Sequence, residues 1–235
     1  MKITFLGHSS LHIETGGQSL IVDPFISPNE RAAHIDVDGL RADYVLLTHG
    51  HQDHVHDVER IAAHNPGMIL VSNFEIISWF SQKGIQGHAM NIGGRCGFEF
   101  GELKYVTAVH SSVLPDGSYG GNPGGFVLSS EGRNVYIAGD TALTYDMKLI
   151  PELGYDLDLA VLPIGDNFTM GVEEAAMAAE FVECQKVMGY HYDTFPPIVL
   201  DRNRALGYFA DRGLELLLPG IGEALEVGNE VRLLD

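Results

Sequence analysis

Apolar positions recur along this chain in two rhythms, and the switches between them predict the order of its elements. Residues 3–6, 11–15 and 19–23 are short, apolar and β-capable, with Gly16-Gly17 turning the second run into the third. An up-down-up meander returns the chain to one edge, so His8 and Asp23 are expected there together. A fourth run at 44–47, if parallel to the third, brings His49 to the same edge. Residues 55–64 and 74–82 then read as helices around a strand at 68–71, followed by short strands at 98–100 and 103–109. A second strand-rich half begins near Gly125. Its runs at 126–129 and 134–138 flank Glu131-Gly132, a hairpin signal, and the second run again leads to an aspartate. That echo hints at a duplicated half. Residues 143–153 read as helix and 157–163 as strand. A strong helix is expected at 172–183, where Val172, Ala175, Ala176, Ala179 and Val182 keep helical spacing and Glu173 and Glu174 favour the first turn. The tail predicts a helix at 203–210 and strands at 214–218 and 224–227. Periodicity alone gives a mixed α/β class, in one domain over 1–235.

The run at 44–47 leads straight into Thr48-His49-Gly50-His51-Gln52-Asp53-His54, three imidazoles and a carboxylate within six residues. These ligand types suit zinc, and also manganese, iron, cobalt or nickel. A strand ending in a turn of ligands holds them on a rigid support while their heads converge. Three later strand-like stretches end the same way: Val106-Thr107-Ala108-Val109-His110, Val135-Tyr136-Ile137-Ala138-Gly139-Asp140-Thr141 and Val187-Met188-Gly189-Tyr190-His191.

The His-x-His-x-Asp-His pattern, with those later residues in order, resembles the metallo-β-lactamase superfamily. The resemblance implies a four-layered αββα sandwich and two divalent ions. It places His49, His51 and His110 on the first ion, Asp53, His54 and His191 on the second, and Asp140 between them. Further stretches are similar to a bacterial and archaeal branch of "metal-dependent hydrolases", itself similar to L-ascorbate-6-phosphate lactonase and more distantly to N-acyl-phosphatidylethanolamine-hydrolysing phospholipase D. These are Met1 to Ser10, Met90-Asn91-Ile92-Gly93-Gly94, Tyr119-Gly120-Gly121-Asn122-Pro123, Leu162 to Gly171 and His191-Tyr192-Asp193-Thr194-Phe195-Pro196.

Two divalent ions sharing a water lower its pKa far below the bulk value of about 15.7, so that a bridged hydroxide can attack a carbonyl carbon or a phosphorus. The expected activity is hydrolysis of a small ester, lactone or phosphoester. No Gly-x-Ser-x-Gly turn marks a serine nucleophile. Asp53 is a candidate proton shuttle to the leaving group. His8, in a turn at the ligand edge, is a candidate for substrate contact or a structural turn role, and Asn167 and Tyr192 are candidate oxyanion donors. Thr48 and Thr141 flank ligands and can orient them. His88 can line the pocket, whereas His12, His34, His56 and His64 read as surface residues. The glycine-rich 120–125 segment lacks the Lys-Ser/Thr ending of a phosphate loop and is either a rim of the site or a structural loop. Two alternatives stay open: a non-hydrolytic metal-binding protein, and a di-iron redox protein on the same fold, against which His51 speaks because the redox proteins carry glutamate there.

Composition narrows the partners. Hydrophobic residues make up 45% and charged residues 20%, a soluble globular balance. Only 14 Lys plus Arg face 32 Asp plus Glu, a formal charge of −18. Nucleic-acid binders need basic surface, so a small-molecule substrate is expected and nucleic acid is not. No apolar run approaches the roughly 20 residues of a membrane span, and the N-terminus lacks a signal-peptide pattern. Cys96 and Cys184 lie outside every motif, so no disulfide framework is expected and the cytoplasm is the expected compartment. The oligomeric state is open.

Overall fold

The meander forms as its alternation requires. In the computed structural model, which describes residues 1–234 and leaves Asp235 of the expected 1–235 domain outside the described residues, β1 (Lys2–Gly7), β2 (Ser10–Thr15) and β3 (Gln18–Val22) pair antiparallel in succession. Then β4 (Tyr44–Leu46), β5 (Ile69–Asn73) and β6 (Gly87–Met90) add in parallel. A second sheet repeats the scheme. There β7 (Arg95–Phe98), β8 (Gly101–Thr107), β9 (Gly124–Ser130) and β10 (Arg133–Ile137) run antiparallel, and β11 (Leu159–Pro163), β12 (Lys186–Tyr190) and β13 (Glu215–Leu217) follow in parallel. Thus β1 to β6 and β8 to β13 share one order of pairings, and the sequence echo corresponds to a repeated topology. The last strands, β14 (Ala224–Val227) and β15 (Val231–Leu233), return to the edge of β1 and complete an eight-stranded first sheet.

Strand alternation divides the interior into three cores. On β4, Tyr44 and Leu46 face the space between the sheets, while Val45 and Leu47 face outward to helices. On β10 and β11, Val135, Ile137, Leu159 and Val161 meet the first sheet, and Tyr136, Ala138, Ala160 and Leu162 face the other way. Both faces of each sheet are therefore buried, as a central strand requires. The outer helices are α2 (Val58–His64) and α3 (Phe74–Ser81) on the first sheet, and α5 (Val172–Phe181) and α6 (Arg202–Ala210) on the second. Buried Ala175, Ala176, Ala178 and Ala179 let α5 sit close to its sheet. The result is a four-layered αββα sandwich.

Some elements differ from their periodicity. The helix expected at 55–64 is broken into α1 (Gln52–Val55) and α2, because buried Asp57 between them accepts hydrogen bonds from the Ile26 and Ser27 N–H groups at 2.7 and 2.9 Å. Residues 143–153 form only a 3-10 turn and the single-turn α4 (Leu149–Glu152), ended by Gly154 at φ +89°. The strand expected at 98–100 lies earlier, as β7. The strands β6 and β15 were not expected: one is mostly exposed and the other is three residues long, so neither carries a burial pattern. No helix among the described residues is long and apolar enough to cross a membrane, and both cysteines are unpaired.

Candidate metal centre

Strand direction gathers the polar residues. Since β1, β3 and β4 end at one edge of the first sheet, His8, Asp23 and the His49–His54 turn meet there. The second sheet delivers His110 after β8, Asp140 after β10 and His191 after β12. His8, Asp23 and His191 adopt left-handed backbone at φ +54°, +43° and +56°. That conformation costs a non-glycine residue about 1–3 kcal/mol, and here it aims a buried side chain at a shared point. Gly139, before Asp140, is left-handed too (φ +68°), and a Cβ there would stand 2.8 Å from Thr48 Cβ. The two sheet edges can close only over a glycine.

Donor atoms gather into two clusters that face the cavity, His49, His51 and His110, and His8, Asp53, His54 and His191, with a third group, Asp23, His49 and His54, buried behind them. His49 Nε2 and His51 Nδ1 face each other at 3.0 Å. Two nitrogens bound to one tetrahedral zinc at about 2.0–2.1 Å would lie about 3.3 Å apart. Asp140 stands between the clusters, its Oδ2 at 3.0 Å from His191 Nε2, 3.3 Å from His54 Nε2 and 3.6 Å from His110 Nε2. His54 Nε2, His191 Nε2 and Asp140 Oδ1 are all buried without a well-directed hydrogen bond, the two ring nitrogens meeting Asp140 Oδ2 only as close ion-pair contacts. Orphaned donors and acceptors are expensive in an interior, and several converging on one point fit a bound cation. The residues present therefore suit bound divalent metal.

Asp23 sets the direction of this donor set. Fully buried, it accepts from the Thr48 N–H at 2.8 Å, the Thr48 hydroxyl at 2.6 Å and His54 Nδ1 at 2.9 Å. With its proton on Asp23, the Thr48 hydroxyl is free to accept from His49 Nδ1 at 3.0 Å. In their neutral form both imidazoles then keep the proton on Nδ1 and present the Nε2 lone pair inward, the arrangement that a metal requires.

Electrostatics are consistent with this arrangement. Burial, then neighbouring His54, holds His49 well below the ordinary imidazole range, and burial likewise lowers His51 and His110, so all three are neutral and ready to ligate. Burial opposes charge on His54, yet the Asp140 and Asp23 carboxylates outweigh it and hold that ring well above the usual range. Burial also opposes charge on Asp140 and Asp53. It is outweighed by His191 and His54 at Asp140 and by His8 and His54 at Asp53, and both carboxyls stay well below the usual range. A cation bound here would displace the His54 proton and take over its role as counter-charge.

The structure brings the seven expected ligand positions together and sorts the other candidates. His8 is buried rather than open to a ligand, bonding Asp53 Oδ2 through Nε2 at 3.1 Å and Thr194 Oγ1 through Nδ1 at 2.9 Å. Burial and then His191 push it down to about 4. Asn167 is exposed in a tight turn and does not line the cavity beside the ligands; its neighbour Phe168 does. Tyr192 is buried against Phe5, away from that cavity. His88 lies on the outermost strand β6, level with Leu46 but two strands away, and packs on Phe98 rather than lining the cavity. The Thr141 hydroxyl bonds the Ala142 carbonyl and the Val109 N–H, fixing the strand end that carries His110. His12 and His34 are tied to Ser19 and to the Ile221 carbonyl. The glycine-rich loop is clamped: Asn73 Nδ2 donates to the Gly120 and Asn122 carbonyls at 2.7 and 3.2 Å, and Ser112 Oγ links Gly50 N–H to Gly120 O. Gly121 is left-handed (φ +73°) with no room for a Cβ beside Asn73. Asp23, placed at this edge by the meander, gave no sequence sign of its orienting role. Beside the donors opens a cavity of about 520 Å³, whose remaining wall is Ser111, Phe168, Phe195 and Pro197.

Comparison with known proteins places the chain in a family and supports its fold. A family model described as "Beta-lactamase superfamily domain" matches residues 2–191. A protein of Flavobacterium johnsoniae named "UPF0173 metal-dependent hydrolase" is 58% identical over 97% of this chain and 100% of its own. One of the same name from Geobacillus thermodenitrificans is 44% identical over 99% and 100%. Among solved structures, Igni18, "a novel metallo hydrolase" from the hyperthermophilic archaeon Ignicoccus hospitalis, superposes with a TM-score of 0.84 at 34% identity, covering 95% of this chain and 96% of that one.

Proposed function

Because the chain belongs to the beta-lactamase superfamily, in the family of UPF0173 metal-dependent hydrolases, we propose that it is a hydrolase of a small ester, lactone or phosphoester working with two divalent ions. His49, His51 and His110 would hold one ion, Asp53, His54 and His191 the other, with Asp140 shared. The observation that carries this is the convergence of buried His54 Nε2, His191 Nε2 and Asp140 Oδ1, none with a well-directed hydrogen bond, where the two donor groups meet. When bound, the ions supply a water activated near neutral pH and polarise the oxygen of the scissile group. Zinc suits the imidazole-rich set best, with manganese, iron, cobalt or nickel as alternatives.

The chain's own groups divide the rest of the work. Asp53 is the carboxylate of the set that reaches the cavity while part-exposed, which suits it to carry a proton to the leaving group. His8 holds one oxygen of that carboxylate and thereby fixes its angle. Phe168, Phe195 and Pro197 shield the reacting side from bulk water. The substrate is a small molecule rather than a nucleic acid, a reading supported by the charge of −18.

The test is nitrophenol release from a panel of 4-nitrophenyl esters and bis(4-nitrophenyl) phosphate. Turnover by metal-loaded protein, lost on chelation and restored by zinc or manganese, is the expected result. No turnover of any of them by fully loaded protein would overturn the hydrolytic reading.

A further inference from the structure

The cavity beside the donor set is lined with an unexpected chemistry. Apart from the expected ligands, its wall is one hydroxyl, Ser111, and three apolar side chains, Phe168, Phe195 and Pro197; no lysine or arginine lines it. Arg31 and Arg202, the basic residues tied to the loop carrying Phe195, both turn to Asp193 at 3.4 and 3.5 Å. A phosphate or carboxylate tail would have to leave water here with no counter-charge beyond ions already engaged with the reacting group. The bulk charge of −18 opposes such a tail further.

The apolar wall is braced. The Phe195 ring packs against His8 at 5.3 Å and Phe25 at 6.1 Å. Phe168 leaves a turn in which Asp166 and Asn167 are both left-handed (φ +63° and +57°) and the Asn167 N–H donates to Asp166 Oδ1 at 2.7 Å. Phe168 is nonetheless 51% exposed. An aromatic ring held in water on a rigid turn at the mouth of a cavity is placed to be covered by what enters. Rigidity lowers the ordering cost of binding, so the wall acts as a preformed apolar subsite.

We propose that the substrate is an uncharged carboxylic ester or lactone whose acyl part carries a medium-sized aliphatic or aromatic group seated on Phe168, Phe195 and Pro197, while Ser111 hydrogen-bonds its polar end. The proposal rests on the hydrolytic reading of the metal centre, and it separates this site from one built for sugar phosphates or other anionic tails.

Two series on the zinc-loaded protein test it. In the first, 4-nitrophenyl acetate, butyrate and hexanoate are compared with the 4-nitrophenyl monoester of glutarate, all with the same leaving group. Each buried methylene is worth about fourfold, so kcat/KM should rise at least tenfold from acetate to hexanoate, and the glutarate ester should fall at least tenfold below the butyrate. Phe168→Ser and Phe195→Ser should each flatten the chain-length dependence. In the second, calorimetry measures binding of acetate, butanoate, hexanoate and glutarate, with the same order expected and no turnover required. A flat chain-length dependence, or a preference for glutarate over hexanoate, overturns the proposal. If bis(4-nitrophenyl) phosphate is hydrolysed but no carboxylic ester is, the proposal falls and the hydrolytic reading stands; if neither is hydrolysed, the hydrolytic reading falls, and the binding series still decides whether this wall selects apolar over anionic tails.

Discussion

Replacing Asp23 by asparagine tests the ordering of the metal centre from behind, without touching a ligand. The amide can keep its oxygen on the Thr48 N–H, but its NH2 then faces the Thr48 hydroxyl and His54 Nδ1, which both donated to the carboxylate. Relief of that clash moves two protons. His54 accepts at Nδ1 and carries its proton on Nε2. The Thr48 hydroxyl turns to donate to His49 Nδ1, and that proton too moves to Nε2. Each cluster loses one inward lone pair. Loss of such outer partners weakens metal affinity about 10–100-fold, or about 1.4–2.7 kcal/mol per ion. The metal-free fold should lose about 1.5–3 kcal/mol with a buried charged hydrogen bond. Competition with a chromophoric chelator measures the affinities, urea unfolding the stability, and imidazole ¹⁵N shifts the tautomers. Asp158→Asn is the control: it accepts from Arg133 and the Asn134 N–H at the opposite end of β10, and should lower stability without changing affinity. Affinities for both ions within about twofold of the parent in Asp23→Asn would refute the orienting role.

Four other outcomes are expected. Asp53→Ala should nearly abolish turnover and bring occupancy toward one ion per chain by elemental analysis, with a modest fall in Tm because His49, His51 and His110 remain. His8→Ala should keep two ions yet lose about 10–100-fold in kcat, since Asp53 loses its fixed angle; unchanged kcat would make the His8 contact structural only. Protein purified without chelator should hold close to two divalent ions, and ion at 1,000 times its Kd should add about 4 kcal/mol of stability that a chelator removes. Gel shifts with tRNA at micromolar protein and physiological salt should show no complex, and a stable complex would reverse the reading of the −18 charge.

What the sequence made legible follows the range of the interactions concerned. The His49–His54 turn is written in consecutive residues, and β4 before it is a plain apolar run, so ligands and support could be read together. His110, Asp140 and His191 each end a strand, and the meander put His8 and Asp23 at the same edge. The task of Asp23 could not be read, because its partners Thr48 and His54 lie 25 and 31 positions away and are reached only when β3 and β4 pair. Phe168 and Phe195 were hidden for a related reason: loop side chains carry no period, and Asn167 is no more polar in pattern than its neighbours suggest. The break before α2 came from the Asp57 contacts with a loop 30 residues earlier. Short-range chemistry was visible in the residues themselves, whereas the convergence of ligands from both sheets was legible only through the resemblance.

The donor set straddles a seam. Four of its residues leave the first sheet after β4 and three leave the second, so how closely the ligands of the two sheets approach one another depends on the thickness of the apolar layer holding Leu46, Ile137 and Val161. Core volume and coordination geometry therefore share one ruler. A methyl group added or removed deep in that layer shifts one sheet against the other, and fractions of an ångström there are felt as bond lengths at the edge. The layer is freer to change in chemistry than in bulk, and a metal-affinity screen of buried variants would sort them by fit.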